Sequence, residues 1–263
     1  MKIVSLTFNF QLHSGNIRGF RAAIVETLGL GHHLFHGHDN SEPGVIKYSN
    51  AYPLIRFCIH HGRPRIMGMG DGADAVQRHL LPALPDTLYI QGETYDCSDF
   101  ELERDQWQPS LSGEFQTFYL YQWIALNKKN YNLWKVTEGE PYVRRALLDQ
   151  AVTGHLRALA ENTDLTIDRN QIVAKVMRQD RVKKISWHGT QLIGFDVQVM
   201  ANFIPHLDLG IGRCHSFGFG EVCTENTYNK LTKSKVRKEA KKVGATKLQR
   251  EQTVFVESLL DLL

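Results

Sequence analysis

Four histidines fall within seven residues near the N-terminus. They are His32, His33, His36 and His38, in a polar stretch between residues 31 and 47. An imidazole titrates near neutral pH, so it can take a proton from one reacting group or give one to another. Taken alone, however, such a cluster is more often a solvated polar loop or an incidental metal site.

A glycine-rich segment lies near the other end of the chain. It runs from residue 210 to residue 220 as GIGRCHSFGFG, with glycine at 210, 212, 218 and 220. Glycine permits positive φ and close backbone approach, and unhindered backbone N–H groups can bind phosphates. The structural alternative is a tight connection into a last strand. It is not a dinucleotide-binding fingerprint, because a strand rather than a helix follows.

Two further segments combine cations with other groups that could contact nucleic acid. Residues 123–131, WIALNKKNY, place Lys128 and Lys129 among amides and aromatics, a mixture that can stack bases and contact phosphates. Core packing is the alternative interpretation for Trp123 and Leu126.

The second segment is residues 228–250, which carry nine Lys or Arg and one Glu, a charge of +8. Lys235, Lys238 and Lys242 lie within it. A charge run is usually a solvated face, but nine cations exceed what solubility needs. Residues 1–227 sum to −2, so bulk charge does not predict nucleic-acid binding by the body of the protein.

The hydrophobic pattern predicts the elements that hold these segments. The N-terminal half has the ferredoxin-like order of strand, helix, strand, strand, helix, strand. The predicted elements are a strand at 1–10, a helix at 15–29, strands at 52–60 and 65–69, a helix at 71–82 and a strand at 87–97.

A second ferredoxin-like unit is predicted in the C-terminal half. It comprises a strand at 111–123, a loop or short helix at 125–135, a helix at 141–161, strands at 171–179, 182–187 and 191–204, and a last strand at 219–223. A charged helix at 228–243 and an apolar-striped helix after Gly244 follow. The predicted class is therefore α+β, with two ferredoxin-like domains side by side, 1–105 and 106–224, and a basic helical extension at 225–263.

Composition and cysteine spacing indicate the cellular compartment and argue against a membrane span or a structural metal site. No apolar run is long enough to span a membrane, and the alternating first ten residues indicate a strand rather than a signal peptide. The four cysteines are scattered without a C-x-x-C pair, which favours a reducing cytoplasm and argues against a structural zinc site. We therefore expect a cytoplasmic protein with no metal, cofactor or membrane partner.

Four segments together resemble the RAMP superfamily, in particular the endoribonucleases that cut CRISPR repeat RNA. They are LFHGHDN…KYSNAYPLIRF, WIALNKKNY, GFDVQVMANFIP and the glycine-rich segment, in that order along residues 1–224. The resemblance implies cleavage of precursor crRNA without a metal: a 2′-hydroxyl attacks the adjacent phosphate and leaves 2′,3′-cyclic phosphate and 5′-hydroxyl ends.

The resemblance also implies the site. The catalytic histidine of such enzymes follows the first helix, and His36-Gly37-His38 corresponds to a His-x-His element whose middle residue is usually Asn. His36 and His38 are thus the catalytic candidates, with Lys47 as the nearest cation and either Tyr48 or Tyr52 lining the site. The remaining candidates are RNA contacts: Gly210, Gly212, Arg213, His215, Gly218, Gly220, Lys128, Lys129, Lys235, Lys238 and Lys242.

Two other functions compete with this one. A two-histidine phosphoesterase would need two facing H-x-[S/T] motifs, and only His188-Gly189-Thr190 fits. A non-catalytic RAMP subunit of a CRISPR effector complex would share the glycine-rich segment but would need no histidine cluster. The expected partner is CRISPR repeat RNA in either RAMP case, effector subunits are a further candidate, and both a monomer and a homodimer stay open.

Overall fold

The computed structural model describes most of the chain. The described ranges are 1–29, 32–36, 38–39, 47–48, 52–161, 167–187 and 189–233. The chain divides into two compact units, Met1–Val222 and Cys223–Leu263. In the second unit the described residues form a helix over 225–233, and the rest of the predicted tail, with Lys235, Lys238 and Lys242, lies outside the described residues, as does His188.

The N-terminal half of the first unit is built on a four-stranded antiparallel sheet. The described residues of this half form eight strands in all: β1 (Lys2–Phe8), β2 (His38–Asp39), β3 (Lys47–Tyr48), β4 (Ile55–His60), β5 (Arg63–Met69), β6 (Thr87–Ile90), β7 (Glu93–Asp96) and β8 (Phe100–Gln106). The main sheet has the order β4-β5-β1-β8, while β2-β3 and β6-β7 form separate two-stranded ladders. This order is the ferredoxin-like arrangement that the sequence predicts.

Helices follow β1 and β5 as that arrangement requires. They are α1 (Ile17–Leu28), α2 (His33–His36), α3 (Asp71–Ala75) and α4 (Leu81–Ala83), with a π-helical turn at Val76–Leu80. Phe20 and Ile24 of α1 are fully buried against Val4, Leu6 and Phe8 of β1 in one apolar core. The apolar residues that recur at helical spacing in α1 thus form the face that packs on the sheet.

One strand assignment in this half is wrong. Residues 87–97 form the hairpin β6–β7, not one strand, because Gln91 and Gly92 both have positive φ, as a tight hairpin turn requires. The fourth strand of the sheet is β8, FELERDQ, whose residues are mostly exposed. Its run of charged side chains lacks the apolar alternation that predicts a strand.

The C-terminal half carries a second four-stranded sheet with the same strand order. Its elements are β9 (Leu111–Trp123), α5 (Lys128–Val136), α6 (Pro141–Glu161), β10 (Ala174–Trp187), β11 (Thr190–Phe203) and β12 (Glu221–Cys223). The sheet order is β10-β11-β9-β12. The two strands predicted at 171–179 and 182–187 are one strand, β10, with irregular pairing near Val176 and Gln179.

The last crossover of the C-terminal half departs from the ferredoxin-like plan. Between β11 and β12 stands the glycine-rich segment with a single three-ten turn, His215–Phe217, in place of a second helix. The two halves also share a core, because Ile3, Met67 and Met69 of the first sheet belong to the same buried cluster as Trp123 and Phe203. Both sheets therefore position the glycine-rich segment.

No helix in the described ranges is both long and apolar enough to cross a membrane.

Candidate functional site

A buried arginine from the first sheet anchors the glycine-rich segment of the second half. Arg56 lies in β4 and is 4% exposed. Its Nε donates to the carbonyl oxygen of His215 at 3.2 Å, and its two terminal nitrogens donate to the carbonyls of Asp208 at 2.5 Å and Gly218 at 3.1 Å. Each guanidinium nitrogen thus has a backbone acceptor in or beside the segment 210–220, which fixes that segment on β4.

The glycines of this segment are required by its packing. A Cβ on Gly220 would lie 1.8 Å from the carbonyl oxygen of Ile211, and one on Gly212 would lie 2.6 Å from Nε1 of Trp123. Gly212, Gly218 and Gly220 also have positive φ. These contacts explain the glycines through the segment's own backbone path. Their predicted contact with RNA stays a prediction.

Two of the predicted site residues, Tyr52 and His215, meet directly. Their rings stack with centroids 4.3 Å apart at 20°, and the Tyr52 hydroxyl donates to the carbonyl oxygen of Gly210 at 2.6 Å. Desolvation raises the pKa of that hydroxyl above its ordinary value. The Tyr52 proton is therefore committed to the protein backbone in this arrangement.

His215 is held as a neutral ring. It is buried, and its Nδ1 contacts the carbonyl oxygen of Gly212 at 2.5 Å, so Nδ1 carries the proton. Burial lowers the pKa of His215 to about 4. Nε2 is buried without a hydrogen-bond partner among the described residues.

Three of the predicted catalytic residues, His38, Lys47 and Tyr48, lie in the antiparallel pair of strands β2 and β3. In the pairing of β2 with β3, His38 is the register partner of Tyr48, and Asp39 is the partner of Lys47. The side chains of His36, His38, Lys47 and Tyr48 lie outside the described residues, so their catalytic roles stay predictions. Tyr48 is thus the tyrosine adjacent in register to the His-x-His element, and Tyr52 is the tyrosine beside the glycine-rich segment.

The first two histidines of the stretch face the helix after β5. The rings of His32 and His79 lie 4.5 Å apart, and the two residues line a cleft of about 270 Å³ together with His33, Asp71, Asp74 and Arg78. Neither His32 nor His33 is among the predicted catalytic residues.

The segment 123–131 has a buried part, with Trp123 and Leu126, and an exposed part, with Lys128 and Lys129. Trp123 is fully buried and Leu126 is 7% exposed, so the core interpretation is right for both. Lys128 and Lys129 are exposed in the first turn of α5, which Asn127 caps by accepting from the backbone N–H of Asn130. The two lysines are therefore available at the surface.

A histidine outside the predicted site residues, His155, lies beside Trp123. His155 of α6 accepts a hydrogen bond at Nδ1 from Nε1 of Trp123 at 3.3 Å. Burial, and then the nearby charge of Arg213, lowers the pKa of His155 to about 4. Nothing in the pattern of α6 marks the residue, because its neighbour Trp123 is more than thirty positions away. Arg56, also missed, did leave a signal: a charge in an otherwise apolar strand.

Three ligand-type side chains meet beside Arg56. The nearest ligand atoms of His60, Asp208 and Glu221 lie within 4.8 Å of one another. Asp208, however, pairs with Arg65 at 3.1 Å, and Glu221 lies 4.0 Å from Arg56. The two guanidinium groups balance the two carboxylates, so this cluster is explained as an ion-pair network.

The arginine anchor makes a stability prediction. Arg56→Met keeps the apolar stem of the side chain but leaves three backbone carbonyls and Glu221 without their partner, so we expect the free energy of unfolding to fall by about 3 kcal/mol. The melting temperature, measured by circular dichroism, should fall by roughly 6–12 °C. The matched control is Arg63→Met in β5, which removes an exposed pair with Glu101 and should leave the melting temperature close to that of the wild type. Equal shifts in both variants would contradict the anchoring role.

Comparison with known proteins gives one consistent family. The model of the Cas6b N-terminal domain matches residues 1–108, and the model of the Cas6b C-terminal domain matches residues 110–225. The chain is also 33% identical, over 105 residues, to the uncharacterized protein MJ0978 of Methanocaldococcus jannaschii; the match covers 40% of this chain and 68% of that protein.

Solved structures show the same fold. A crystal structure of Cas6b has a TM-score of 0.72 and 20% identity, and the match covers 85% of this chain and 100% of that chain. A crystal structure of the CRISPR RNA processing endoribonuclease Cas6b has a TM-score of 0.63 and 19% identity, covering 85% of this chain and 99% of that chain. At these identities the likeness establishes the architecture, with its two sheet-containing halves.

Proposed function

The chain belongs to the Cas6b family, and on that premise we propose that it is an endoribonuclease that binds CRISPR repeat RNA and cuts precursor crRNA. The observation that carries this proposal is the consecutive match of both family domains over nearly the whole of residues 1–225. One solved protein with the same fold is a CRISPR RNA processing endoribonuclease, which supports the same activity here.

The proposed reaction is a transesterification within the RNA. One imidazole takes the proton of the 2′-hydroxyl, whose oxygen attacks the adjacent phosphorus, and a second group protonates the departing 5′-oxygen. The products are a 2′,3′-cyclic phosphate and a 5′-hydroxyl. We assign the proton transfers to His36 and His38, with Lys47 stabilising the charge that develops on the phosphate. The register of β2 with β3, which places His38 opposite Tyr48 and Asp39 opposite Lys47, supports this grouping.

The proposed RNA contacts fall on two parts of the chain. Arg213 is exposed in the glycine-rich segment, and Lys128 and Lys129 are exposed at the start of α5, close along the chain to the buried Trp123. We propose that these cations bind phosphates, and that residues 1–105 and 106–224 act as two RNA-binding domains. The extension 225–263 would add non-specific attraction through its +8 segment.

The chemistry gives the first functional test. Histidine acid–base catalysis needs no bound metal, so cleavage of repeat RNA should persist in EDTA. The products should carry 2′,3′-cyclic phosphate ends, which mass spectrometry identifies. An absolute requirement for Mg²⁺ would overturn the mechanism, and binding of repeat RNA without any cleavage would favour a non-catalytic RAMP subunit.

The catalytic assignment gives a second test. Changing His36 or His38 to Ala should slow cleavage by roughly 100-fold or more, because a general acid or base is lost, while repeat-RNA affinity in a filter-binding assay stays near wild type. The control is His33→Ala, in the same stretch but outside the assigned pair. Wild-type cleavage rates in both single variants would place the catalytic site elsewhere, with His13 and His215 as the next residues to test.

The role of the extension 225–263 in RNA binding can be tested by removing positive charge without deleting residues. Changing Lys235, Arg237, Lys238, Lys241 and Lys242 together to Gln should weaken RNA binding and flatten its dependence on salt, since fewer counterions are released. Repeat-specific cleavage should remain at high enzyme concentration, because the glycine-rich segment and the histidines are unchanged. Unchanged affinity with an unchanged salt slope would mean that the run is a solvated face.

A further inference from the structure

The hydrogen bond between Trp123 and His155 fixes the tautomer of the histidine. An indole Nε1–H can only donate, so Nδ1 of His155 must present its lone pair to it, at 3.3 Å. The rings meet edge-on at 89° with centroids 5.8 Å apart, and the indole is fully buried. The neutral ring of His155 therefore carries its proton on Nε2.

That Nε2–H is available as a donor. His155 is only partly buried, and within the described ranges Nε2 has no hydrogen-bond partner and is not among the fully buried unpaired atoms. Because the pKa of His155 is lowered to about 4, the ring stays neutral at physiological pH. It offers one N–H donor of fixed direction and no positive charge.

A cation, Arg213, directly follows the glycine that packs on the same indole. The loop reaches the indole because Gly212 has no Cβ: a Cβ there would lie 2.6 Å from Nε1 of Trp123. The backbone N–H of Arg213 then donates to the carbonyl oxygen of Ile124 at 3.0 Å, which fixes Arg213 beside the same indole. Its side chain is exposed and makes no ion pair among the described residues, yet its charge acts on His155.

We propose that His155 and Arg213 form a contact site for one phosphate of the RNA backbone. The Nε2–H of His155 and the guanidinium of Arg213 are both donors, which matches the oxygens of a phosphodiester, and Arg213 supplies the charge that an anion needs. Trp123 is a positioning residue, because it sets the donor on Nε2 of His155. This inference rests on the proposed function, since it takes the anion to belong to the bound RNA.

The two contacts differ in charge, and this difference makes the site testable. Loss of a neutral donor should weaken affinity without changing its salt dependence, whereas loss of a cation should change both. In a salt titration of repeat-RNA binding at pH 7.5, we expect His155→Ala to weaken binding about tenfold with the slope of log K against log[salt] unchanged. Arg213→Gln should weaken binding and reduce the magnitude of that slope by about 0.7 to 0.9.

A conservative variant separates the donor from mere packing. In His155→Gln, the amide oxygen can accept from Trp123 while the amide nitrogen donates outward, so binding should stay within about twofold of the wild type. Gln150→Ala, an exposed position on the same helix, is the matched control. If His155→Ala lowers the melting temperature, His155→Leu fills the volume without a donor and replaces it in the comparison.

The tautomer of His155 can be measured directly. Imidazole ¹H–¹⁵N spectra of the wild type should show His155 protonated on Nε2 alone, and Trp123→Phe should abolish that preference because it removes the indole N–H. Protonation on Nδ1 in the wild type would overturn the inference. Wild-type affinity in His155→Ala, equal losses in the Ala and Gln variants, or a reduced salt slope in His155→Ala would overturn it as well. Failure of the wild-type protein itself to bind repeat RNA would instead overturn the proposed function, and this site with it.

Discussion

The arrangement of the glycine-rich segment depends on one buried cation. Arg56 reaches from β4 of the first sheet to three backbone carbonyls in or beside a segment that begins more than 150 residues later. Burying a guanidinium is costly unless every N–H finds an acceptor, so the carbonyls and the guanidinium stabilise each other only in this geometry. Glu221, 4.0 Å away, supplies the balancing charge, and burial raises its pKa while Arg56 opposes that change.

The hydrogen bonds of Arg56 also fix the positions of the residues around the glycine-rich segment. With Gly218 and the carbonyl of His215 fixed by Arg56, the ring of His215 stacks on Tyr52 and the backbone at Gly212 rests on the indole of Trp123. A Cβ at 210, 212 or 220 would collide with His215, Trp123 or the carbonyl oxygen of Ile211, respectively. The segment is therefore a rigid connection whose surface residue, Arg213, is set in place by the interior on which the backbone packs.

Local sequence pattern predicted the elements whose burial is one-sided or complete, and it failed where the decisive contacts are distant. The apolar spacing of α1, the run of β9 and the long helix α6 were all correct, because each buries residues at its own period. β8 was missed because it is a largely exposed edge strand, and its pairing with β1 joins residues about a hundred positions apart. The glycine-rich connection before β12 was predicted without a helix, but its anchor was not, because Arg56 lies more than 150 positions earlier in the chain.

The same distinction applies to the histidines. A general acid or base works best when its pKa lies near the working pH, and desolvation holds His155 and His215 far below that range. Each is also committed to one tautomer by a fixed partner, Trp123 for His155 and the carbonyl of Gly212 for His215. Rings that are neutral at the working pH and fixed in one tautomer suit hydrogen bonding of fixed direction and are poorly suited to proton transfer. The two proposals therefore divide the chemistry: the stretch 31–47 is proposed for acid–base catalysis, and Arg213 of the glycine-rich segment with His155 is proposed for contact with the RNA.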